Sequence, residues 1–170
     1  LLTELNTPRF TSGQQKNLEE SLLHDCTFDE LYPGPEALDA HHPMMSVFWY
    51  SLTSDFDESL DFLLDIMGNA DYRDSDTILR VLDKYIPDYD QTKADNAPSL
   101  AYSLAERYIR LDSRFRYTLN SPALYPFLKE VRRKLKQEPD FKRELSEILS
   151  SIAGTILTKE KLVFMATASE

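Results

Sequence analysis

The chain has 170 residues with 19 Lys and Arg against 29 Asp and Glu, a formal charge of −10, and a single cysteine, Cys26. One cysteine excludes an intramolecular disulfide, and a length in this range buries about two thirds of the unfolded surface in one core without covalent staples. The acidic balance argues against sequence-independent binding to nucleic acid, which needs Lys and Arg to neutralise phosphates. No apolar run reaches the ~18 residues of a membrane span, and Leu1-Leu2-Thr3-Glu4 lacks the basic start of a signal peptide. A cytoplasmic location is expected, and the opening on Leu1 rather than Met leads us to expect that the natural start lies upstream.

The charge is unevenly spread. Residues 1–100 hold 6 basic against 20 acidic side chains, a balance of −14, whereas residues 101–170 hold 13 against 9, a balance of +4. Halves of opposite sign attract each other within a fold or steer different partners.

In chain order, the first predicted helix covers 13–24, where Ser12 and Gln15 have capping-box spacing and Leu18, Leu22 and Leu23 share a face. Thr27 and Glu30 repeat that spacing before Pro33-Gly34. After a loop at 34–42, Pro43 suits the first position of a helix through Met44, Met45, Val47, Phe48, Trp49, Tyr50 and Leu52. That segment is apolar on nearly every side, which suits either the centre of a bundle or a Met- and aromatic-rich docking surface. A helix at 55–67 follows, with Phe56, Leu60, Leu63, Leu64 and Met67 as its stripe and Gly68 placed to end it in the left-handed conformation.

The next helix, 76–86, carries Ile78, Leu79, Leu82, Tyr85 and Ile86 and is predicted to stop at Pro87. Residues 87–97, with Asp88, Asp90, Asp95 and Asn96, read as a loop or subdomain joint. Beyond it come predicted helices at 98–111, a short one around Phe115 and Leu119, one from Ser121-Pro122 to Gln137, and one from Pro139 to Leu157. The last has a stripe of Phe141, Leu145, Ile148, Leu149, Ile152 and Ile156, and the apolar segment from Leu162 to Met165 fits a helical turn or a strand equally. The expected fold is all-α: an antiparallel bundle or short helical array of about 7–9 helices. It forms one domain over 1–170, with a joint at 87–97 between an acidic half, 1–97, and a mildly basic half, 98–170.

Chemistry is harder to find. His24, His41 and His42 are the only ordinary neutral-pH bases, and the spacing of His24 from Cys26 marks no known thiol–imidazole pair. The same four side chains match no zinc-ligand spacing. The acidic runs at 55–58 and 71–76 lack the residue order of a calcium loop and sit where helices begin, so helix dipoles explain them more simply. No phosphate loop or dinucleotide fingerprint occurs. No catalytic residue, metal or cofactor is assigned.

One constellation stands out: Arg107, Arg110, Arg114 and Arg116, followed by Lys129, Arg132, Arg133, Lys134 and Lys136. Arginine forks suit carboxylates and phosphates. The leading expectation is a non-catalytic protein-interaction domain, an adaptor, scaffold or regulatory module that docks an acidic or phosphorylated partner through Arg107, Arg110, Arg114, Arg116, Arg132 and Arg133. The competing expectation for those residues is a solvated face paired internally with the acidic half. Two further readings stand beside it: an inhibitor or immunity-type protein covering a basic target with its acidic half, and a ligand-binding or enzymatic domain with a pocket near Trp49.

Overall fold

The computed structural model describes residues 2–31, 44–95, 97–106, 108–109, 113 and 124–167. Within them, α1 (Ser12–Leu22) precedes two strands, β1 (Asp25–Leu31) and β2 (Met44–Tyr50). Five more helices follow: α2 (Phe56–Gly68), α3 (Ser75–Asp95), α4 (Ala97–Glu106), α5 (Leu124–Gln137) and α6 (Pro139–Ile156). Short 3-10 turns lie at Leu2–Glu4, Thr53–Asp55 and Lys159–Lys161.

The chain is therefore mostly helical, but the all-α expectation fails, and six helices rather than 7–9 are present among the described residues. Its two strands pair in one antiparallel sheet. The predicted helix after Pro43 is β2, and the predicted Thr27–Glu30 cap lies within β1. Physically, Val47, Phe48, Trp49 and Tyr50 are residue types that favour the pleated surface of a sheet. A run of seven residues, apolar except for Ser46, carries no 3.6-residue period strong enough to set against that preference.

Contacts divide the chain into two compact units. Unit 1 comprises Leu1–Thr27, Phe48–Ile78 and Glu138–Glu170. Its buried apolar side chains are Leu5, Leu22, Leu23, Phe62, Leu63, Ile66, Ile78, Phe141 and Leu145. α1 begins one residue earlier than its spacing predicts, because Thr11 and Gln14, not Ser12 and Gln15, close the capping box. Gln15 is thereby released into the interior, where its Nε2 donates to the Leu5 carbonyl at 2.8 Å.

α2 shows a similar offset. Its buried face is Ser59, Phe62, Leu63 and Ile66, while Leu64 is exposed. Two polar groups make that face usable: the Ser59 hydroxyl donates to the Phe56 carbonyl at 2.8 Å, and Asp65 accepts from Thr7 Oγ1 at 2.6 Å and Asn69 Nδ2 at 2.9 Å. Thr7 Oγ1 in turn accepts from the backbone N–H groups of Arg9 and Phe10. The N-terminal segment is thus tied to α2 by a buried carboxylate, a pattern that costs stability when either partner is removed. Gly68 is the last residue of α2 and needs no left-handed backbone, since no described glycine has a positive φ.

Unit 2 comprises Phe28–Val47 and Leu79–Gln137. Leu82 and Ile86 on α3 and Val131 and Leu135 on α5 are its buried apolar residues. α3 runs through Pro87 to Asp95, so residues 87–95 are helical and not a loop. An interior proline costs about 3 kcal/mol in a helix. Burial of Ile86 one residue earlier and the stacking of Tyr85 on Tyr89, and of Tyr89 on Tyr125 of α5 at 4.9 Å, act against that cost.

Candidate protein interface

Arg107, Arg110, Arg114 and Arg116 lie outside the described residues. Arg132 and Arg133 both belong to α5, where both are partly exposed and already paired. Arg132 Nε donates to Asp83 of α3, and Lys136 Nζ approaches the same carboxylate at 3.2 and 3.3 Å. The Arg132 guanidinium, then Lys136, holds the Asp83 carboxyl below the usual carboxylate range. Arg133 forks onto Glu130 at 2.7 and 2.8 Å and reaches Gln137 Oε1 at 2.7 Å.

Lys129 sits over the Tyr125 ring at 4.1 Å, and the Tyr125 hydroxyl donates to Asp90. Carboxylates of the acidic segment thus occupy Arg132, Lys136 and Tyr125 within unit 2. Exposed pairs of this kind are screened by solvent, so they organise the face more than they stabilise it.

The chemistry of unit 1 is similarly bounded. Burial, and then the negative charges of Glu19 and Asp25, push the Cys26 thiol up to about 11. Roughly one molecule in 10⁴ then carries a thiolate at neutral pH, the opposite of what an activated nucleophile requires. His24 is drawn into the sheet instead, its backbone N–H donating to the Tyr50 carbonyl at 2.9 Å. Among the described residues no group of three or more His, Cys, Asp or Glu side chains is placed to hold a metal, and no helix is long and apolar enough to cross a membrane.

The last three residues of β2 form the most distinctive surface. Trp49 anchors the strand: its indole N–H donates to Ser59 Oγ at 3.2 Å, and its ring stacks on Phe56 at 6.5 Å and lies 6.2 Å from Phe164. The space beside the indole is therefore lined by two further aromatic rings. Side chains alternate along a strand, so anchoring Trp49 inward turns Phe48 and Tyr50 outward together. They meet edge to face at 4.9 Å and remain 55% and 56% exposed, with Leu52 beyond them at 55%.

β2 contains no charged residue from Met44 to Tyr50. Exposed edge strands ordinarily carry Lys, Glu or Pro to prevent pairing with another chain, and β2 has none. The sequence alone places these aromatics in a helix, either at the centre of a bundle or as a docking surface, and not in a strand. The available signal was the absence of any charge in a run that also favours strands.

A second apolar surface lies on α6. Phe141 and Leu145 are buried as predicted, but Ile148, Ile152 and Ile156 continue the stripe at 44%, 49% and 50% exposure. The predicted core stripe is thus buried only in the first half of the helix and half-exposed beyond it. Comparison with protein-family models and with curated proteins finds no match to this chain.

Proposed function

We propose that this chain is a non-catalytic protein-binding domain whose partner docks on the exposed surface of β2. The observation that carries this reading is the charge-free strand with Phe48 and Tyr50 presented side by side while Trp49 fastens it to α2. Aromatic side chains on a rigid support are the residues that most often dominate binding energy at interfaces. The basic face of α5 is the weaker surface, because a partner carboxylate or phosphate would first have to displace Asp83 from Arg132 and Lys136, and Glu130 from Arg133. The isoleucines of α6 are nearly as exposed but aliphatic, and aromatic side chains more often dominate binding energy at interfaces.

The test is site-specific photocrosslinking in cells that produce the protein, with benzoylphenylalanine placed at Phe48, Tyr50, Ile152 or Arg133. A discrete adduct from positions 48 and 50, mapped to one partner segment by mass spectrometry, is the expected result. Adducts from position 133 or 152 with none from 48 or 50 would refute the assignment.

A further inference from the structure

Unit 1 holds a second aromatic feature, on the other side of β2 from Phe48 and Tyr50. Side chains alternate along the strand, so Trp49 faces away from its two neighbours. Its ring lies 6.5 Å from Phe56 and nearly parallel to it, at 16°. Phe164, from the segment beyond α6, sits across both, 6.2 Å from Trp49 at 45° and 6.3 Å from Phe56 at 61°. These separations and tilts are those of attractive aromatic pairs.

The ledge formed by Trp49 and Phe56 is built without Phe164. The Trp49 indole N–H donates to Ser59 Oγ at 3.2 Å, and the Ser59 hydroxyl donates to the Phe56 carbonyl at 2.8 Å. Ser59 is itself fully buried on α2, so both residues are fastened to the body of that helix. The segment carrying Phe164 is fastened differently. Its root is fixed at the end of α6, where the Lys161 N–H donates to the Thr158 carbonyl at 3.1 Å, the Leu162 N–H to the Lys159 carbonyl at 3.3 Å, and the Lys161 ammonium to the Thr155 carbonyl at 2.5 Å.

Beyond that root the chain is extended at Leu162, with φ −78° and ψ 124°. From Val163 to Thr167 it makes no hydrogen bond to another described residue. Phe164 is half-exposed, and Val163 and Met165 on either side of it are 73% and 85% exposed. An uncharged, extended segment is thus anchored at its root and then by one ring on a preformed ledge.

We propose that residues 162–165 are a releasable strap: Phe164 fills the Trp49–Phe56 ledge in cis, and an aromatic side chain on an uncharged, extended segment of a partner protein takes the ledge in trans by displacing it. The chemistry of that occupant is the chemistry of the segment seated there, an aromatic ring flanked by aliphatic residues. Closure of the strap lowers the apparent affinity for any such segment by the fraction of molecules in which the ledge is open. The proposal does not rest on docking at Phe48 and Tyr50, which point to the other face of the strand, so the two assignments fail separately.

Trp49 is the single tryptophan, and its fluorescence in the full chain reads the ledge directly. Phe164→Ala is expected to shift its emission to the red and to speed quenching by acrylamide while the helical circular dichroism is kept; Met165→Ala, at the exposed neighbour, is expected to change neither. A labelled peptide of residues 158–167, followed by fluorescence anisotropy, should bind the Phe164→Ala chain about tenfold more tightly than the unmodified chain, as for a strap closed in about nine molecules in ten. The same peptide with alanine in place of its phenylalanine should not bind. Benzoylphenylalanine at position 164 of the dilute full chain should crosslink within the chain to the stretch carrying Trp49 and Phe56, a readout that holds even where Phe164→Ala lowers stability. Unchanged Trp49 emission and quenching in Phe164→Ala, an equal response to Met165→Ala, equal binding of the peptide by both chains, or no binding by either overturns the strap. Crosslinks from position 164 between two chains, with a dimer by light scattering, would assign Phe164 to the ledge of a second copy and overturn its occupancy in cis. None of these outcomes depends on whether positions 48 and 50 crosslink a partner.

Discussion

Replacing Thr7 by valine removes one hydroxyl from the interior of unit 1 and almost no volume. Thr7 is 9% exposed and its partner Asp65 4%, so solvent does not replace what is lost. The hydroxyl donates to the Asp65 carboxylate at 2.6 Å, a charged hydrogen bond worth about 1.5 to 3 kcal/mol. It also accepts from the backbone N–H groups of Arg9 at 3.3 Å and Phe10 at 3.1 Å, both part-buried, for which about 0.5 kcal/mol each is reasonable at those lengths.

The expected cost is therefore about 3 kcal/mol, or a fall in melting temperature of roughly 6 to 12 °C for a chain of this size. Trp49, the single tryptophan, belongs to the same unit, so urea unfolding followed by its fluorescence reports the relevant transition. Adding Asp65→Asn tests the pairing itself: the two costs should couple by about 1 kcal/mol or more. A loss below about 0.5 kcal/mol for Thr7→Val, or strict additivity of the two changes, would refute the buried carboxylate as the fastening of the N-terminal segment.

The helix faces give a second contrast: Ile66→Ala, at a fully buried site, is expected to cost about 2 to 5 kcal/mol, and Ile152→Ala, half exposed, less than about 1 kcal/mol in the same urea assay. Equal costs would mean that Ile152 is packed. Alkylation of Cys26 by iodoacetamide should be slow at neutral pH and accelerate up to about pH 11, and an inflection below pH 9 would contradict its burial beside Glu19 and Asp25. Because Arg132 depresses the folded-state pKa of Asp83, the contribution of that pair is present above the ordinary carboxylate value near 4 and is lost as pH falls through the folded value. Asp83→Asn should therefore flatten the acid limb of the stability profile, read by circular dichroism, and an unchanged limb would show that the pair is energetically silent.

The stripe was legible in α3, as in the buried Ile78, Leu82 and Ile86, and both stripe and start were legible in α6, which opens at Pro139, whereas the stop expected at Pro87 is overridden by the continuation of α3 to Asp95. The sheet was not, because seven uncharged residues, all apolar but Ser46, have no readable period and strand pairing is a long-range choice. α2 was readable in extent but not in face, since its buried side includes Ser59 and Asp65, whose partners Phe56 and Thr7 become evident only in the fold. The arginines of α5 show the same limit: their residue types advertise anion binding, and the carboxylate that occupies Arg132 is 49 residues away in sequence. Of the two singled-out arginines that the structure describes, Arg132 pairs with Asp83 of the acidic half, whereas Arg133 pairs with Glu130 of its own helix.

The most direct test of β2 as the docking surface compares partner retention by three full-length forms: the unmodified chain, Phe48→Ser with Tyr50→Ser, and Arg132→Gln with Arg133→Gln. The partner identified by crosslinking should be retained by the first and third and lost by the second, with all three folded by circular dichroism. Retention by the Phe48→Ser, Tyr50→Ser form and loss by the arginine variant would contradict the assignment and return the interface to α5.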